Sequence, residues 1–190
     1  MVLKKDRFLP SSSTSKAYDW LDSLTFSLFI VIMIFTFLFS VVGVKGQSMQ
    51  ETLQDGDRLI VSDFMYEPKC GDIVIVSRNY DNLEKKDTGN SFAEPIVKRV
   101  IAAEGQKVEI KDGSVFVDGE RLSEDYVTSE TEALDFSSPS IVPEGHIFVL
   151  GDNRSNSKDS RSSEIGMVDK RYVIGKVLFR IYPFTKFKFF

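Results

Sequence analysis

The pattern of apolar and polar residues divides the chain into one long apolar run and many short ones. No charged residue occurs between Leu24 and Val44, and Phe, Leu, Ile and Val dominate this run. At a rise of about 1.5 Å per residue, a helix over the run crosses a hydrocarbon core of about 30 Å. The run is longer than the apolar region of a cleaved signal peptide, and it lacks the polar face of a buried core helix. We therefore predict a transmembrane anchor over residues 24–44.

Beyond Lys45 the apolar runs become short and are separated by turns, a pattern typical of β-strands. Asp112-Gly113 is a pair that favours the positive φ angles of a tight hairpin. Short strands at this spacing predict a mainly β fold, in which an antiparallel β-sheet domain follows one N-terminal transmembrane helix. The predicted strands are residues 58–61, 72–76, 96–102, 107–110, 114–117, 146–150 and 173–181.

Three stretches do not fit this alternation of strands and turns. Residues 79–95 and 123–143 are polar and are predicted to be surface loops. Residues 183–190 alternate Phe with Lys, which favours either an edge strand protected by lysines or a segment whose aromatic rings touch the bilayer surface. The sequence leaves both interpretations of this last stretch open.

The charges before the apolar run predict its orientation. Four Lys and Arg residues lie within the first 23 positions, and segments rich in these residues stay on the cytoplasmic side. We therefore expect a cytoplasmic tail at residues 1–23, a single-pass anchor in the plasma membrane at residues 24–44, and an extracytoplasmic β-rich domain at residues 45–190.

Composition narrows the classes of function. The net charge of −4 and the lack of a basic stripe argue against a nucleic-acid-binding protein. Cys70 is the one cysteine, so an internal disulfide is excluded, and His146 is the one histidine, so a His-rich metal site is excluded. We expect no metal and no cofactor.

A candidate nucleophile, Ser48, follows the apolar run almost directly. The single histidine, His146, opens a predicted strand, where a structural role is favoured over that of a catalytic base. A serine can instead be activated by a lysine, provided that burial lowers the lysine pKa far below its usual value of about 10.4. Lys98 fits this requirement because β-branched residues surround it in a predicted strand. The alternative, a solvated lysine on an edge strand, is favoured by the strand pattern alone.

A dense polar cluster at residues 151–161 follows the apolar strand at residues 146–150. Its Asp, Asn, Ser and Arg residues predict a loop whose side chains bond to its own backbone. Charge-assisted pairs, either Asp159 with Arg161 or Asp152 with Arg154, would hold it in shape. A plain polar loop is the alternative.

Taken together, these clusters resemble the bacterial type I signal peptidases, membrane-anchored Ser/Lys proteases that cut signal peptides from exported proteins. The resemblance extends from the anchor to about Ile181. The family's serine motif, Ser-Met-x-Pro-Thr-Leu, is matched at residues 48–53 except for its proline, and its Gly-Asp motif is matched at residues 56–61. The lysine motif is matched at residues 98–101, and the motif Gly-Asp-Asn-x-x-x-Ser-x-Asp-Ser-Arg is matched in full at residues 151–161.

The resemblance assigns roles to individual residues. It implies that Ser48 is the nucleophile, that Lys98 is the general base and that Ser157 orients the lysine amine. Asp159 and Arg161 correspond to the pair that holds the loop in place. Residues implied in support are Arg99 and Gly151, and those implied to shape the small S1 and S3 substrate pockets are Met49, Leu53, Ile96 and Val97.

Two groups depart from the family pattern. Glu51 replaces the proline of the serine motif, and Ala102-Ala103-Glu104-Gly105 replaces Gly-x-Pro-Gly. The resemblance also implies that the Ser48 N–H is one donor to the oxyanion. Gly46 stands where some members have a serine, which leaves the second donor either absent or supplied by the backbone around Gly46.

The function implied is that of a membrane-bound serine endopeptidase that removes signal peptides after small residues, as in Ala-x-Ala. Its expected partners are signal peptides of exported preproteins and the lipid bilayer, with the Sec translocon as a further candidate. One alternative is a peptidase dedicated to a specialised substrate, and another is a non-catalytic relative acting as an assembly factor. A self-cleaving, repressor-like Ser/Lys domain is disfavoured by the anchor and by the lack of a DNA-binding module.

Overall fold

The computed structural model describes residues 12–77 and 94–190. These residues divide into two compact units, one ending at Leu38 and the other beginning at Phe39. Except for Glu94 and Pro95, the loop predicted at residues 79–95 lies outside the described residues.

The first unit contains one helix, α1 (Ser12–Leu38), whose part from Tyr18 to Leu38 is apolar and long enough to cross a membrane. The few hydroxyl groups in this part bond back to the helix, as when Thr25 Oγ1 donates to the Leu21 carbonyl at 2.8 Å and Thr36 Oγ1 donates to the Ile32 carbonyl at 2.8 Å. Their polar atoms are therefore satisfied without a partner outside the helix.

The helix and the predicted anchor at residues 24–44 differ at both ends. The helix starts earlier, at Ser12, and ends at Leu38. Strand β1 (Ser40–Gly43) follows and pairs antiparallel with residues 58–61. The apolar run does not mark this boundary, because the β-branched pair Val41-Val42 suits a strand as well as a membrane helix.

The second unit is built from antiparallel strands, which confirms the predicted mainly β fold. After β1 the strands are β2 (Arg58–Ser62), β3 (Ile73–Val76), β4 (Ile96–Ala103), β5 (Lys107–Lys111), β6 (Ser114–Val117), β7 (Glu120–Arg121), β8 (Ser140–Ile141), β9 (His146–Leu150), β10 (Val168–Asp169), β11 (Val173–Tyr182) and β12 (Lys188–Phe189). One sheet has the strand order β1-β2-β11-β3-β4-β9-β10, with β12 paired to β11, and a smaller sheet has the order β7-β6-β5-β8.

All seven predicted strands are present, with each end within one residue of its prediction. The hairpin of β5 and β6 turns at Asp112 and Gly113, whose φ angles are 50° and 69°, as the pair predicts. Among residues 12–77 and 94–190, the five further strands that the sequence did not reveal are only two to four residues long, too short for alternation to be recognised.

Strand β4 lies inside the large sheet, between β3 and β9. This position rules out the edge-strand interpretation of Lys98. Six successive residues of β4, from Val97 to Ala102, are buried. Lys98 is therefore enclosed by paired strands, with Val74 opposite it on β3.

The two remaining stretches that the alternation did not explain are more ordered than their composition suggests. Within residues 123–143, Thr131 and Val142 are buried, and the ring of Phe136 lies 4.8 Å from that of Phe148 on β9. Within residues 183–190, β12 pairs with β11, in agreement with the edge-strand interpretation. Contact of these aromatic residues with the bilayer stays a prediction.

Candidate active site

Ser48 and Lys98 meet in the β domain although 50 positions separate them. Lys98 extends from β4, is only 2% exposed and donates from Nζ to Ser48 Oγ at 2.8 Å. The same amine donates to the Val97 carbonyl at 3.1 Å. Ser48 itself is half-buried. A nucleophile and a base within hydrogen-bonding reach are the geometry that acyl transfer requires.

Ser48 lies in residues 44–57, which we call the serine turn. The ends of this segment are joined, because Val44 N donates to the Asp57 carbonyl at 2.8 Å and Gly56 N donates to the Val44 carbonyl at 3.0 Å. Inside it, Leu53 N donates to the Met49 carbonyl at 2.8 Å. Backbone hydrogen bonds thus close the turn around the serine.

A buried ion pair connects the serine turn to β11. Arg180 on β11 donates from Nη1 to Asp57 Oδ2 at 2.7 Å and to the Thr52 carbonyl at 3.2 Å. The same carboxylate oxygen accepts from Gln54 N at 3.0 Å. Sequence reasoning missed Arg180, whose only signal is an arginine in a predicted strand that is mostly apolar.

A second support of the serine turn comes from residues 151–161, which we call the Gly-Asp-Asn loop. Asn153 N donates to the Ser48 carbonyl at 3.0 Å, and Asn153 Nδ2 donates to the Gln47 carbonyl at 3.1 Å. One asparagine therefore fixes two successive peptide groups at the candidate nucleophile.

The loop is held in shape by its own buried pair of Asp159 and Arg161, in the arrangement that the sequence suggests. Arg161 donates from Nε to Asp159 Oδ1 at 2.8 Å and from Nη2 to Oδ2 at 2.9 Å. Asp159 Oδ2 also accepts from Gly151 N at 3.0 Å. The carboxylate thereby links the first residue of the loop to its last.

The alternative pair of Asp152 with Arg154 is wrong. Asp152 instead binds Arg99 in a two-pronged contact, with Nε–Oδ1 at 2.8 Å and Nη2–Oδ2 at 2.6 Å. Arg154 turns away to Glu124 and the Thr131 hydroxyl, on the segment that had been predicted to be a free loop. Burial alone would lower the pKa of Arg99, but the Asp152 carboxylate outweighs it and raises this pKa.

Gly151 lies close both to the serine turn and to Ser157 of its own loop. A Cβ atom added to Gly151 would lie 2.2 Å from Ser157 Oγ and 2.5 Å from the Ser48 carbonyl oxygen. Only a glycine fits where the backbone at position 151 approaches the Ser48 carbonyl and the Ser157 side chain this closely. Ser157 Oγ is buried and has no hydrogen-bond partner among the described residues. Its expected role of orienting Lys98 stays a prediction.

Three of the four residues expected to shape the substrate pockets come together. Met49, Leu53 and Val97 belong to one apolar cluster, and each is at least nine-tenths buried. Ile96 is half-buried and packs against a different cluster, which contains Val100. The grouping is compatible with a pocket wall next to Ser48, and the assignment of the pockets stays a prediction.

The groups that depart from the family pattern have contacts of their own. Gly46 N donates to Asp55 Oδ1 at 2.8 Å, so this N–H is engaged within the serine turn. Glu51 is exposed. Glu104 accepts from Gly145 N at 2.7 Å and pairs with Lys170 at 3.1 Å, and these contacts lower the pKa of its carboxyl. Glu104 thus ties the end of β4 to the residues before β9.

His146 makes a local contact with the backbone, with Nδ1 2.8 Å from the Glu144 carbonyl oxygen, which agrees with a structural role. In the part of the chain that the structure describes, no three His, Cys, Asp or Glu residues are grouped so as to hold a metal ion. Cys70 is a free, exposed thiol.

Comparison with known proteins identifies the family. The family described as "Signal peptidase, peptidase S26" matches residues 17–182. The chain is 34% identical to signal peptidase I of Bacillus licheniformis, over 94% of this chain and 95% of that protein. It is 32% identical to signal peptidase IB of Staphylococcus aureus (strain MRSA252), over 90% and 92% of the two chains.

Among solved structures, a signal peptidase I from Enterococcus faecalis V583 is 29% identical, with a TM-score of 0.45, covering 58% of this chain and 97% of the other. The match to the family and the identity with its curated members show that the chain belongs to the signal peptidases of family S26. The family and the enzyme class expected from the sequence, a serine endopeptidase, are thereby confirmed.

Proposed function

We propose that this signal peptidase family member removes signal peptides from exported preproteins, using Ser48 as nucleophile and Lys98 as general base. The observation that carries the proposal is the 2.8 Å contact of Lys98 Nζ with Ser48 Oγ, made by an amine that is 2% exposed. Burial in an apolar strand disfavours the charged form of an amine. A neutral Lys98 has a lone pair with which to accept the serine proton.

The reaction proceeds through an acyl-enzyme. Lys98 Nζ takes the proton from Ser48 Oγ as the oxygen attacks the scissile carbonyl carbon. The resulting oxyanion is stabilised by the Ser48 N–H. The amide C–N bond then breaks, and the leaving amine receives the proton from Lys98. Lys98 next takes a proton from the water that attacks the ester carbonyl; the C–Oγ bond then breaks, and Lys98 returns the proton to Ser48 Oγ.

Packing beside the nucleophile favours small residues at the cleavage site. Met49, Leu53 and Val97 belong to the core, so a pocket wall that they form cannot easily move to admit a larger side chain. A pocket with fixed walls discriminates by size, and we propose cleavage after Ala-x-Ala.

The anchor places this chemistry at the membrane. We propose that the part of α1 from Tyr18 to Leu38 crosses the plasma membrane once, with the residues before it in the cytoplasm and the β domain on the extracytoplasmic side. A substrate held in the same bilayer then meets the enzyme at a raised effective concentration. The Sec translocon, which delivers such substrates, is the proposed neighbouring complex.

The test compares detergent-solubilised wild type with Ser48→Ala and Lys98→Ala on a preprotein with an Ala-x-Ala site. We expect cleavage by wild type, rising toward alkaline pH as Lys98 loses its proton, and none by either variant. Lys111→Ala, on an exposed lysine of the small sheet, is the matched control and should cleave normally. Circular dichroism checks that each variant is folded.

Each outcome separates the alternatives. Normal cleavage by Lys98→Ala would refute the assigned base. Failure of folded wild type on Ala-x-Ala preproteins would favour a peptidase with a dedicated substrate if Ser48 still reacts with a serine-directed acylating agent. It would favour a non-catalytic assembly factor if Ser48 does not react.

A further inference from the structure

The last residues of the sequence, 183–190, lie beyond the part that matches the family, which ends at residue 182. They are nevertheless folded against the β domain. A short 3₁₀ helix (Phe184–Lys186) is followed by β12, which pairs with β11, and Phe190 N donates to the Leu178 carbonyl at 3.0 Å. Residues 183–190 therefore occupy a defined position, and their contacts lead to the serine turn.

The first link is polar and passes through one guanidinium group. Arg180 Nε donates to the Lys186 carbonyl at 2.7 Å, while its Nη1 donates to Asp57 and to the Thr52 carbonyl of the serine turn. Lys186 adds a direct contact, from Nζ to Gln54 Oε1 at 2.7 Å. Arg180 and Asp57 are both buried, so water replaces these bonds poorly.

The second link is apolar. Phe190 packs against the cluster that contains Met49 and Leu53, the two buried apolar side chains of the serine turn that follow Ser48. Met49 is the immediate neighbour of the nucleophile, so displacement of this cluster is transmitted to Ser48 within one residue. Close-packed interiors transmit such displacements because they hold few voids.

The serine turn needs support from outside. It contains no proline that would fix a φ angle, and it includes two glycines, Gly46 and Gly56, both at a φ of 85°. A segment of this composition has many conformations available when it is isolated. Its single native conformation therefore depends on contacts made by other parts of the chain.

We propose that residues 183–190 form a brace that positions Ser48 for attack. The inference rests on the proposed function, since it assumes that Ser48 is the nucleophile. Arg180, Lys186 and Phe190 are positioning residues in this arrangement, which act through the turn rather than on the substrate. Lys98 is held by the pairing of β4 with β3 and β9, so loss of the brace shifts mainly the Ser48 oxygen that Lys98 must deprotonate.

The experiment uses the full chain in detergent and compares Phe190→Ala and Lys186→Ala with Phe184→Ala. Phe184 belongs to the same segment but is 82% exposed, which makes it the matched control. We expect kcat to fall on the order of tenfold in Phe190→Ala and less in Lys186→Ala, which keeps the carbonyl that Arg180 binds, with KM within about twofold in both, since misplacement of a reacting atom affects mainly the chemical step. The pH profile should keep its shape, and Phe190→Leu should restore most of kcat.

Hydrogen exchange measured by mass spectrometry gives a readout that does not require cleavage. In Phe190→Ala, the amides of Val44, Leu53 and Gly56 should exchange faster, while those of β4 and β9 keep the wild-type rate. Faster exchange throughout the domain would indicate general destabilisation and would overturn the brace.

The remaining outcomes are equally decisive. Unchanged exchange in the serine turn overturns the brace, and so does an equal loss of kcat in Phe184→Ala. Faster exchange with normal kcat overturns the positioning role. If folded wild type fails to cleave, the proposed function fails, and local exchange then decides alone whether the brace supports the turn.

Discussion

The serine turn and the Gly-Asp-Asn loop lie side by side at the candidate site, but they are held in shape by different means. The loop contains both members of the ion pair that closes it, Asp159 and Arg161, only two positions apart. The serine turn contains Asp57 alone, and its partner Arg180 lies 123 positions further along the chain. The conformation of the loop is largely encoded locally, whereas that of the turn depends on the complete fold.

The two segments differ more in what sets their conformation than in what sets their position in the domain. The Gly-Asp-Asn loop is also tied to distant elements, since Asp152 binds Arg99 on β4 and Arg154 binds Glu124. Its internal pair sets its conformation, and these outer pairs set its position in the domain. The turn has backbone hydrogen bonds of its own, but its buried side chains and its position are held from outside, through Arg180, the cluster under Phe190 and Asn153 of the loop.

The largest effect is expected when the internal pair of the loop is broken. Arg161→Ala leaves the buried Asp159 carboxylate without a counter-ion, and the expected loss is about 3–5 kcal/mol of unfolding free energy. Urea unfolding, followed by circular dichroism, measures this loss of unfolding free energy. Cleavage should be lost in the same variant, because Asn153 would no longer be held against Ser48.

The chain offers a matched control for this prediction. Asp169 and Arg171 have the same spacing and the same two-pronged contact, but the Arg171 side chain is 82% exposed. Arg171→Ala should change stability little, because solvent screens an exposed pair and hydrates its members when it is broken. Equal losses in the two variants would mean that burial of the loop pair does not matter.

The Asp-x-Arg spacing shows how far the sequence alone reaches. It occurs at Asp152, Asp159 and Asp169, and only the last two carboxylates bind the arginine two positions on. Asp152 binds Arg99 instead, because β4 brings that side chain to the loop. Local spacing therefore suggests a pair, but which partner is bound depends on the packing of strands.

The same limit explains which parts of the fold and site were predictable. Strands with several alternating residues were found within one residue of their ends, as for β6 and β9. Lys98 could be proposed from its apolar strand together with the family motifs. Arg180 and Glu124 could not, since their partners lie 123 and 30 positions away and no periodicity connects them.

The next largest effect concerns the contact between the two segments. Gly151→Ala would place a Cβ within 2.5 Å of the Ser48 carbonyl oxygen, so the turn and the loop must move apart. A displacement of this kind costs on the order of a hundredfold in kcat. Steady-state cleavage kinetics measure the effect. Gly43→Ala, where a Cβ meets no atom within 4 Å, should cleave normally; normal kinetics in Gly151→Ala would contradict the tight approach.

A smaller effect is expected from Asp72, a carboxylate whose charged partner, Lys176, lies 104 positions away in the sequence. Burial alone would raise the pKa of Asp72, but hydrogen bonds from Lys176 at 2.6 Å and from the Tyr66 hydroxyl at 2.8 Å outweigh it and lower this pKa. A carboxyl whose pKa is lower in the folded protein stabilises the fold above its unfolded pKa of about 4. The contribution is lost as the pH falls through the folded value.

Asp72→Asn should therefore be less stable than wild type at pH 7, by about 1 kcal/mol, because solvent screens part of the ion pair. The difference should shrink as the pH is lowered below about 4, where the wild-type carboxyl also becomes neutral. Thermal unfolding at a series of pH values tests this. A difference that stays constant down to strongly acidic pH would show that the Asp72 charge does not contribute.

The smallest effect is expected from Glu51, and it tests whether the serine turn depends on outside support. Glu51 is exposed, so Glu51→Pro removes no buried contact, and a proline with a compatible φ stabilises by about 0.5 kcal/mol through the unfolded state. Cleavage should not decrease, and Glu51→Ala, which removes the charge without restricting φ, should behave like wild type. A large loss in the proline variant alone would mean that the backbone at Glu51 does not accept the φ of proline.

If the stiffened turn needs less support, Glu51→Pro combined with Phe190→Ala should lose less kcat than Phe190→Ala does by itself. An additive result would mean that the brace positions Ser48 by some means other than restricting the conformations of the turn.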